Sequence, residues 1–147
     1  MTDNADLARS LYDAFNERNF DEIAEATAPD GVITVVGSGD TFEGVEGSRR
    51  YNEMWATAFP DGMAVVDRVI ASGHHVVVEY TGRGTHTGTL STSMGDIPAT
   101  GRSVTLQMCD VLEFENGKVR SQRSYFDTGS MMAQLGIGAE QAQSTRQ

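Results

Sequence analysis

An α+β fold is predicted for this 147-residue chain by three observations. The three longest amphipathic helical stripes come first, ending at Phe59. Four long runs with strand character follow at hairpin spacing. Glycines punctuate the longest of those runs, at Gly82, Gly84 and Gly88. Helices followed by strands joined as hairpins imply a curved antiparallel or mixed sheet with the three N-terminal-half helices packed on one side. Glycine lets a long strand bend sharply, so the sheet is expected to wrap into a cone that encloses a pocket.

In chain order, Asp3 or Asn4 is expected to cap the first helix. Its apolar positions Leu7, Ala8, Leu11, Tyr12 and Phe15 follow the 3.6-residue period. Asn16 to Asn19 breaks that helix, and a shorter one runs from about Phe20 to Thr27 with Phe20, Ile23 and Ala24 inward. Pro29-Asp30-Gly31 reads as a turn, β-branched Val32 to Val36 as a strand, and Gly37 to Asp40 as a flexible loop. The third helix spans roughly Glu46 to Phe59. Tyr51, Met54, Trp55, Ala58 and Phe59 form its stripe, and Pro60-Asp61-Gly62 ends it. Met63 to Ser72 and His75 to Thr89 read as strands, Leu90 to Gly101 as a loop, and Ser103 to Glu115 as a further strand. Asn116-Gly117 is the pair best suited to a two-residue hairpin turn, since both positions need positive φ. The strand after it, Lys118 to Asp127, leads into a short closing helix. Thr128 or Ser130 is expected to cap that helix, with Met131, Met132 and Leu135 as its apolar side and Gly136 as its stop. A single domain over residues 1–138 is expected, with the polar residues 139–147 forming a frayed tail.

A formal charge of −10 repels polyanions, so neither nucleic acid nor an anionic membrane is an expected partner. No apolar run approaches the roughly 20 residues a membrane span requires. The acidic N-terminus lacks a signal-peptide core, and the single cysteine, Cys109, forms no internal disulfide. These features suit the cytoplasm. Three histidines and one cysteine show no ligand-type spacing, so no metal site is expected.

Six short stretches occur in a telling order: Ala28-Pro29-Asp30-Gly31-Val32, Phe42-Glu43-Gly44, Phe59-Pro60-Asp61, Gly84-Thr85-His86-Thr87-Gly88, Pro98-Ala99-Thr100-Gly101-Arg102 and Tyr125-Phe126-Asp127. Together they resemble the SnoaL-like polyketide cyclase branch of the nuclear-transport-factor-2-like (NTF2-like) superfamily, over nearly the whole chain up to Leu135. The resemblance implies a cone-shaped fold, a homodimer, a small hydrophobic ligand and no cofactor. It also implies a role for Asp127, which by position matches the general acid/base of intramolecular aldol ring closure in the family's cyclases.

Asp127 follows two aromatics at a strand end and is read either as a helix cap or as a site carboxylate. A single carboxylate in a dry pocket performs both proton transfers of an aldol closure when desolvation raises its pKa. His86 is the second catalytic candidate, placed to polarise a carbonyl, against the alternative of a histidine hydrogen-bonded within the sheet. Tyr12, Phe15, Tyr51 and Trp55 belong to helix stripes that in a cone are also the pocket wall. Met108, Gln122 and Tyr125 complete the expected substrate contacts. Strand alternation puts Met108 with Asp110 and opposes Gln107 with Cys109; it also separates Gln122, Ser124 and Phe126 from Arg123, Tyr125 and Asp127. Which face lines the pocket is left open by the pattern. Cys109 reads as a small apolar residue rather than a nucleophile.

Three functional readings follow. The first is an acid/base enzyme of the polyketide (ester) cyclase type, a lyase or isomerase without cofactor. An epoxide hydrolase on the same fold is disfavoured because Val78-Glu79-Tyr80-Thr81 lacks an Arg-x-Asp pair. The third is a binding protein that uses the cavity as a ligand pouch.

Overall fold

The computed structural model describes residues 3–137, so the expected tail at 139–147 lies outside the described residues. Four helices and a curved mixed sheet build the fold. The helices are α1 (Asn4–Asn16), α2 (Phe20–Glu25), α3 (Gly44–Ala58) and α4 (Thr128–Leu135). The strands are β1 (Thr27–Val35), β2 (Asp40–Glu43), β3 (Met63–Ser72), β4 (His75–Thr85), β5 (Leu90–Thr92), β6 (Gly95–Ile97), β7 (Ser103–Glu115) and β8 (Lys118–Phe126). Six strands form one sheet in the order β2-β1-β8-β7-β4-β3, and β5 and β6 form a separate hairpin.

Three register shifts, in β1, in β3 and between β7 and β8, interrupt the sheet. Such bulges add bend and twist, and here they curl one face around α1, α2 and α3. The β7–β8 hairpin closes at Asn116 and Gly117, whose φ angles of 54° and 76° match the turn expected there. Asp3 caps α1 by accepting from the Asp6 N–H at 2.8 Å.

Several expected boundaries move. Pro29-Asp30-Gly31 does not end the secondary structure but is a bulge inside β1, which runs parallel to β8 from Thr27↔Val119 to Val35↔Ser124. The close approach explains the glycine: a Cβ at Gly31 would lie 2.9 Å from the Val119 carbonyl oxygen. The stretch expected to be a flexible loop turns β1 into β2, which pairs back from Val35↔Asp40. β4 ends at Thr85 rather than Thr89, because Gly88 packs its backbone onto the end of α3. Its N–H donates to the Ala58 carbonyl at 3.1 Å, and a Cβ there would collide with the Thr57 carbonyl. The expected loop at 90–101 contains the β5–β6 hairpin, anchored by fully buried Leu90. The cap of α4 is Asp127 itself, not Thr128 or Ser130.

β7 supplies the spine of the core. Its alternation sends Val104, Leu106, Asp110, Leu112 and Phe114 to the helix side, all buried. Replacing Phe114, 2% exposed, by alanine is expected to destabilise the fold by about 3–5 kcal/mol. Chemical denaturation checks this, and Glu115→Ala on the exposed next position should stay within about 0.5 kcal/mol.

Candidate functional site

A pocket opens between the helices and the concave face of the sheet. Leu11, Tyr12 and Phe15 of α1, Ile23 of α2, and Tyr51, Asn52 and Trp55 of α3 form its helical wall. Ala64 of β3, Tyr80, Gly82 and Gly84 of β4, Val104, Leu106, Met108 and Asp110 of β7, and Gln122 of β8 form the sheet wall. The 3.6-residue repeat of α1 and the two-residue repeat of β7 meet here, since each delivers its apolar face to the same space. The glycines of β4 serve proximity rather than unusual backbone angles. A Cβ at Gly82 would lie 2.9 Å from the Met108 sulfur, and one at Gly84 would lie 3.0 Å from the Phe59 Cβ.

Asp110 sits at the base of this apolar space and is 1% exposed. Tyr12 donates its phenol proton to Asp110 Oδ2 at 2.6 Å, and Gln122 Nε2 approaches the same oxygen at 3.4 Å. Tyr80 donates to Oδ1 at 3.3 Å. Across the β7–β8 ladder Asp110 faces Ser124, whose Oγ accepts from Gln122 at 3.3 Å and shares a proton with the Tyr51 hydroxyl at 3.1 Å. Loss of solvent pushes the Asp110 carboxyl up to about 6, against the pull of the Tyr12, Ser124 and Tyr80 hydroxyls. Burial and the neighbouring Asp110 charge hold the Tyr12, Tyr80 and Tyr51 phenols above their ordinary range, so all three remain donors.

Of the expected site residues, Tyr12, Phe15, Tyr51, Trp55, Met108 and Gln122 line this pocket. Tyr125 does not: it is 41% exposed on the outer face of the sheet, near Arg123. Asp127 is also outside. It is exposed, and its Oδ1 accepts from the Ser130 N–H at 3.1 Å as the cap of α4. The strand alternation explains both placements, since the inward face of β8 belongs to Gln122, Ser124 and Phe126.

His86 is fully buried but is not among the pocket-lining residues. The Thr100 N–H donates to its Nδ1 at 3.2 Å, and its backbone bonds Gly101 and Arg102. A backbone N–H only donates, so the proton of the neutral ring sits on Nε2, which has no partner. Desolvation lowers the His86 pKa, and the neutral ring fastens the 98–102 segment to the end of β4. Cys109 lies half-buried on the face opposite Asp110, and burial raises its thiol pKa.

Sequence reasoning paired Asp110 with Met108 on one strand face but attached no role to it. The available signal was this carboxylate inside the alternating apolar run from Val104 to Phe114, where an unpaired acid is rarely buried. Among the described residues no group of three or more His, Cys, Asp or Glu side chains is arranged to hold a metal. No helix among them is long and apolar enough to cross a membrane.

Residues 5–135 match the model of the SnoaL-like polyketide cyclase family. No curated protein matches the chain. Among solved structures, IdmH of Streptomyces antibioticus, a candidate polyketide cyclase, is 29% identical with a TM-score of 0.73, covering 90% of this chain and 97% of its own. A SnoaL-like protein of Jannaschia sp. CCS1 superposes with a TM-score of 0.79 at 22% identity over 90% of each chain. An LEH-like epoxide hydrolase of M. tuberculosis superposes with a TM-score of 0.68 at 21% identity, covering 89% of this chain and 87% of its own. The last two likenesses show the fold alone.

The buried acid has a measurable thermodynamic signature. The Asp110 carboxyl rises from the ordinary 3.8 to about 6 in the folded protein. Between those pH values the folded chain holds a proton that the unfolded chain has released, so stability falls as pH rises. The loss is about 3 kcal/mol in total. Asp110→Asn abolishes this titration, so its melting temperature relative to wild type is expected to climb between pH 4 and pH 7, read by calorimetry at a series of pH values.

Proposed function

The chain belongs to the SnoaL-like polyketide cyclase family, and from that premise we propose that its pocket is the active site of a cofactor-independent acid/base enzyme for a hydrophobic carbonyl compound. Asp110 takes the proton-transfer role that the resemblance implied for Asp127. The observation that carries this reading is the isolation of Asp110: among the described residues it is the one carboxylate lining a mostly apolar and aromatic pocket, whose other polar side chains are Asn52, Gln122, Arg83 and three tyrosines. A carboxyl with a pKa near 6 is largely ionised at neutral pH yet basic enough to take a proton from carbon.

The chemistry that suits this arrangement is intramolecular aldol ring closure. The Asp110 carboxylate removes a proton α to a carbonyl; the C–H electron pair becomes the C=C bond of the enolate as the carbonyl π pair moves onto oxygen. The enolate carbon then forms the new C–C bond at a second carbonyl of the same chain. The alkoxide left by that attack takes the proton back from Asp110. Every step uses groups of the chain itself, and the aromatic and aliphatic wall excludes water that would compete for the enolate.

Epoxide hydrolysis is poorly supported. Glu79 is exposed and pairs with Arg68 at 3.5 Å, and among the described residues no second acid lines the pocket beside Asp110. The homodimer implied by the resemblance is proposed to cover that outer face, where Val65, Ile70 and Tyr125 are exposed.

Exchange of the α-hydrogens of 1-tetralone in heavy water, followed by mass spectrometry, tests the acid/base role without knowledge of the natural substrate. Wild type is expected to accelerate exchange, with activity falling as pH drops below about 6 because only the carboxylate accepts the proton. Asp110→Asn should slow exchange about 100-fold or more, and Asp127→Asn, which retains a good helix cap, should stay near wild type. Loss of exchange in Asp127→Asn with retention in Asp110→Asn would sink the assignment. Binding of the ketone by wild type without exchange would instead support the ligand pouch.

A further inference from the structure

The two phenols on Asp110 are not equivalent. We infer that Tyr80 is a catalytic residue, the hydrogen-bond donor to the substrate oxygen on which the enolate charge develops, whereas Tyr12 is a positioning residue for the base. The inference deepens the reading above and rests on Asp110 being the proton acceptor.

A carboxylate offers about four lone-pair sites, two on each oxygen. Oδ2 is fully engaged, by Tyr12 at 2.6 Å and by Gln122 at 3.4 Å. The Tyr12 bond has the length of a strong charge-assisted contact. It joins α1 to β7 and fixes the carboxylate plane. Among the described residues Oδ1 receives one hydrogen bond, from Tyr80 at 3.3 Å; the nearby Ser124 hydroxyl also draws on the carboxyl but makes its own hydrogen bonds to Gln122 and Tyr51, so one lone-pair site of Oδ1 is open. The proton-accepting atom is therefore Oδ1, and the phenol beside it is Tyr80.

That placement matches the geometry of enolisation. The carbon that loses its proton and the oxygen that gains the charge belong to one carbonyl unit and are separated by a single carbon. A base and an oxygen-directed donor must therefore lie a few ångströms apart and face the same space. Tyr80 lines the pocket, and its bond to Asp110 is long enough to be exchanged for a stronger one to an enolate. As Oδ1 gains the proton it loses its attraction for the phenol, just when the substrate oxygen becomes the better acceptor. Tyr12 has no such freedom, because its phenol is committed to Oδ2 and its ring packs against that of Tyr80 at 4.9 Å between centroids.

Three measurements separate the roles, with folding of Tyr12→Phe, Tyr80→Phe and Asp110→Asn checked by circular dichroism. In 1-tetralone exchange, Tyr80→Phe is expected to lower kcat about 100-fold, as for loss of one oxyanion donor, with KM within about threefold. Tyr12→Phe is expected to keep most of kcat above pH 8 while moving the acid limb of the pH profile upward, since the carboxylate loses its strongest donor. Binding of 2-naphthol, an apolar ring bearing an enol-like oxygen, is expected to weaken about tenfold in Tyr80→Phe. Naphthalene, which lacks the oxygen, should bind as before. The inference is overturned if Tyr80→Phe keeps kcat within threefold of wild type, or if 2-naphthol binding does not change. Failure of the underlying reading looks different: Asp110→Asn itself would then still exchange.

Discussion

Tyr12 on α1 donates to Asp110 on β7 at 2.6 Å, and the arrangement of the pocket follows from that one contact. A carboxylate removed from water needs its oxygens engaged by donors, and in this fold the donors come from three separate elements. Tyr12 arrives from the first helix, Tyr80 from β4 and Gln122 from β8. Each of these side chains is set by the backbone that carries it, so the acid also fixes how α1 sits on the sheet. The surrounding wall is apolar, and the donors offset only part of the desolvation. The carboxyl is left near 6, a compromise that costs stability at neutral pH.

The rest of the structure keeps this space open and dry. Gly82 and Gly84 thin the β4 wall where Met108 and Phe59 press against it. Trp55 and Phe59 stack at 6.2 Å along α3 and its end. Behind them, His86 and Gly88 hold the chain after β4 against α3 and the 98–102 segment through backbone hydrogen bonds. Asp127 ends β8 and starts α4, whose Met131 and Leu135 seal the core. Asp127 and His86, the expected catalytic residues, thus lie outside the pocket lining and hydrogen-bond the frame around it. The buried acid and its donors gather where three strands and one helix converge.

A fold of this kind accommodates many activities, and the likeness to both a SnoaL-like protein and an epoxide hydrolase is one of fold alone. The pocket of this chain presents one acid, three phenols, the amides of Asn52 and Gln122 and the Arg83 side chain, and among the described residues no cation hydrogen-bonds the acid. An adjacent arginine would lower the acid's pKa and weaken it as a base. Arg123 avoids that by facing outward beside Tyr125.

The fold was legible because its signals are local. The stripes of α1 and α3, the Asn116-Gly117 turn, the alternation along β7 and the motif order each act over a few residues, and each carries through to the structure. Six of the seven expected substrate contacts also line the pocket, since a helix stripe facing a concave sheet must become its wall. The boundaries that moved involve long-range contacts: β1 continues through Pro29-Asp30-Gly31 only because β8 lies beside it. The identity of the buried pocket carboxylate was of the same kind. Alternation placed Asp110 with Met108 and set Gln122 and Ser124 apart from Asp127, but no periodicity states which face turns inward. That choice was made when β8 paired between β1 and β7 and the apolar face of β7 closed against α1. Sequence alone determined the helices, the long strands and the family. Tertiary packing decided which carboxylate is stripped of water, because desolvation depends on every element around a side chain.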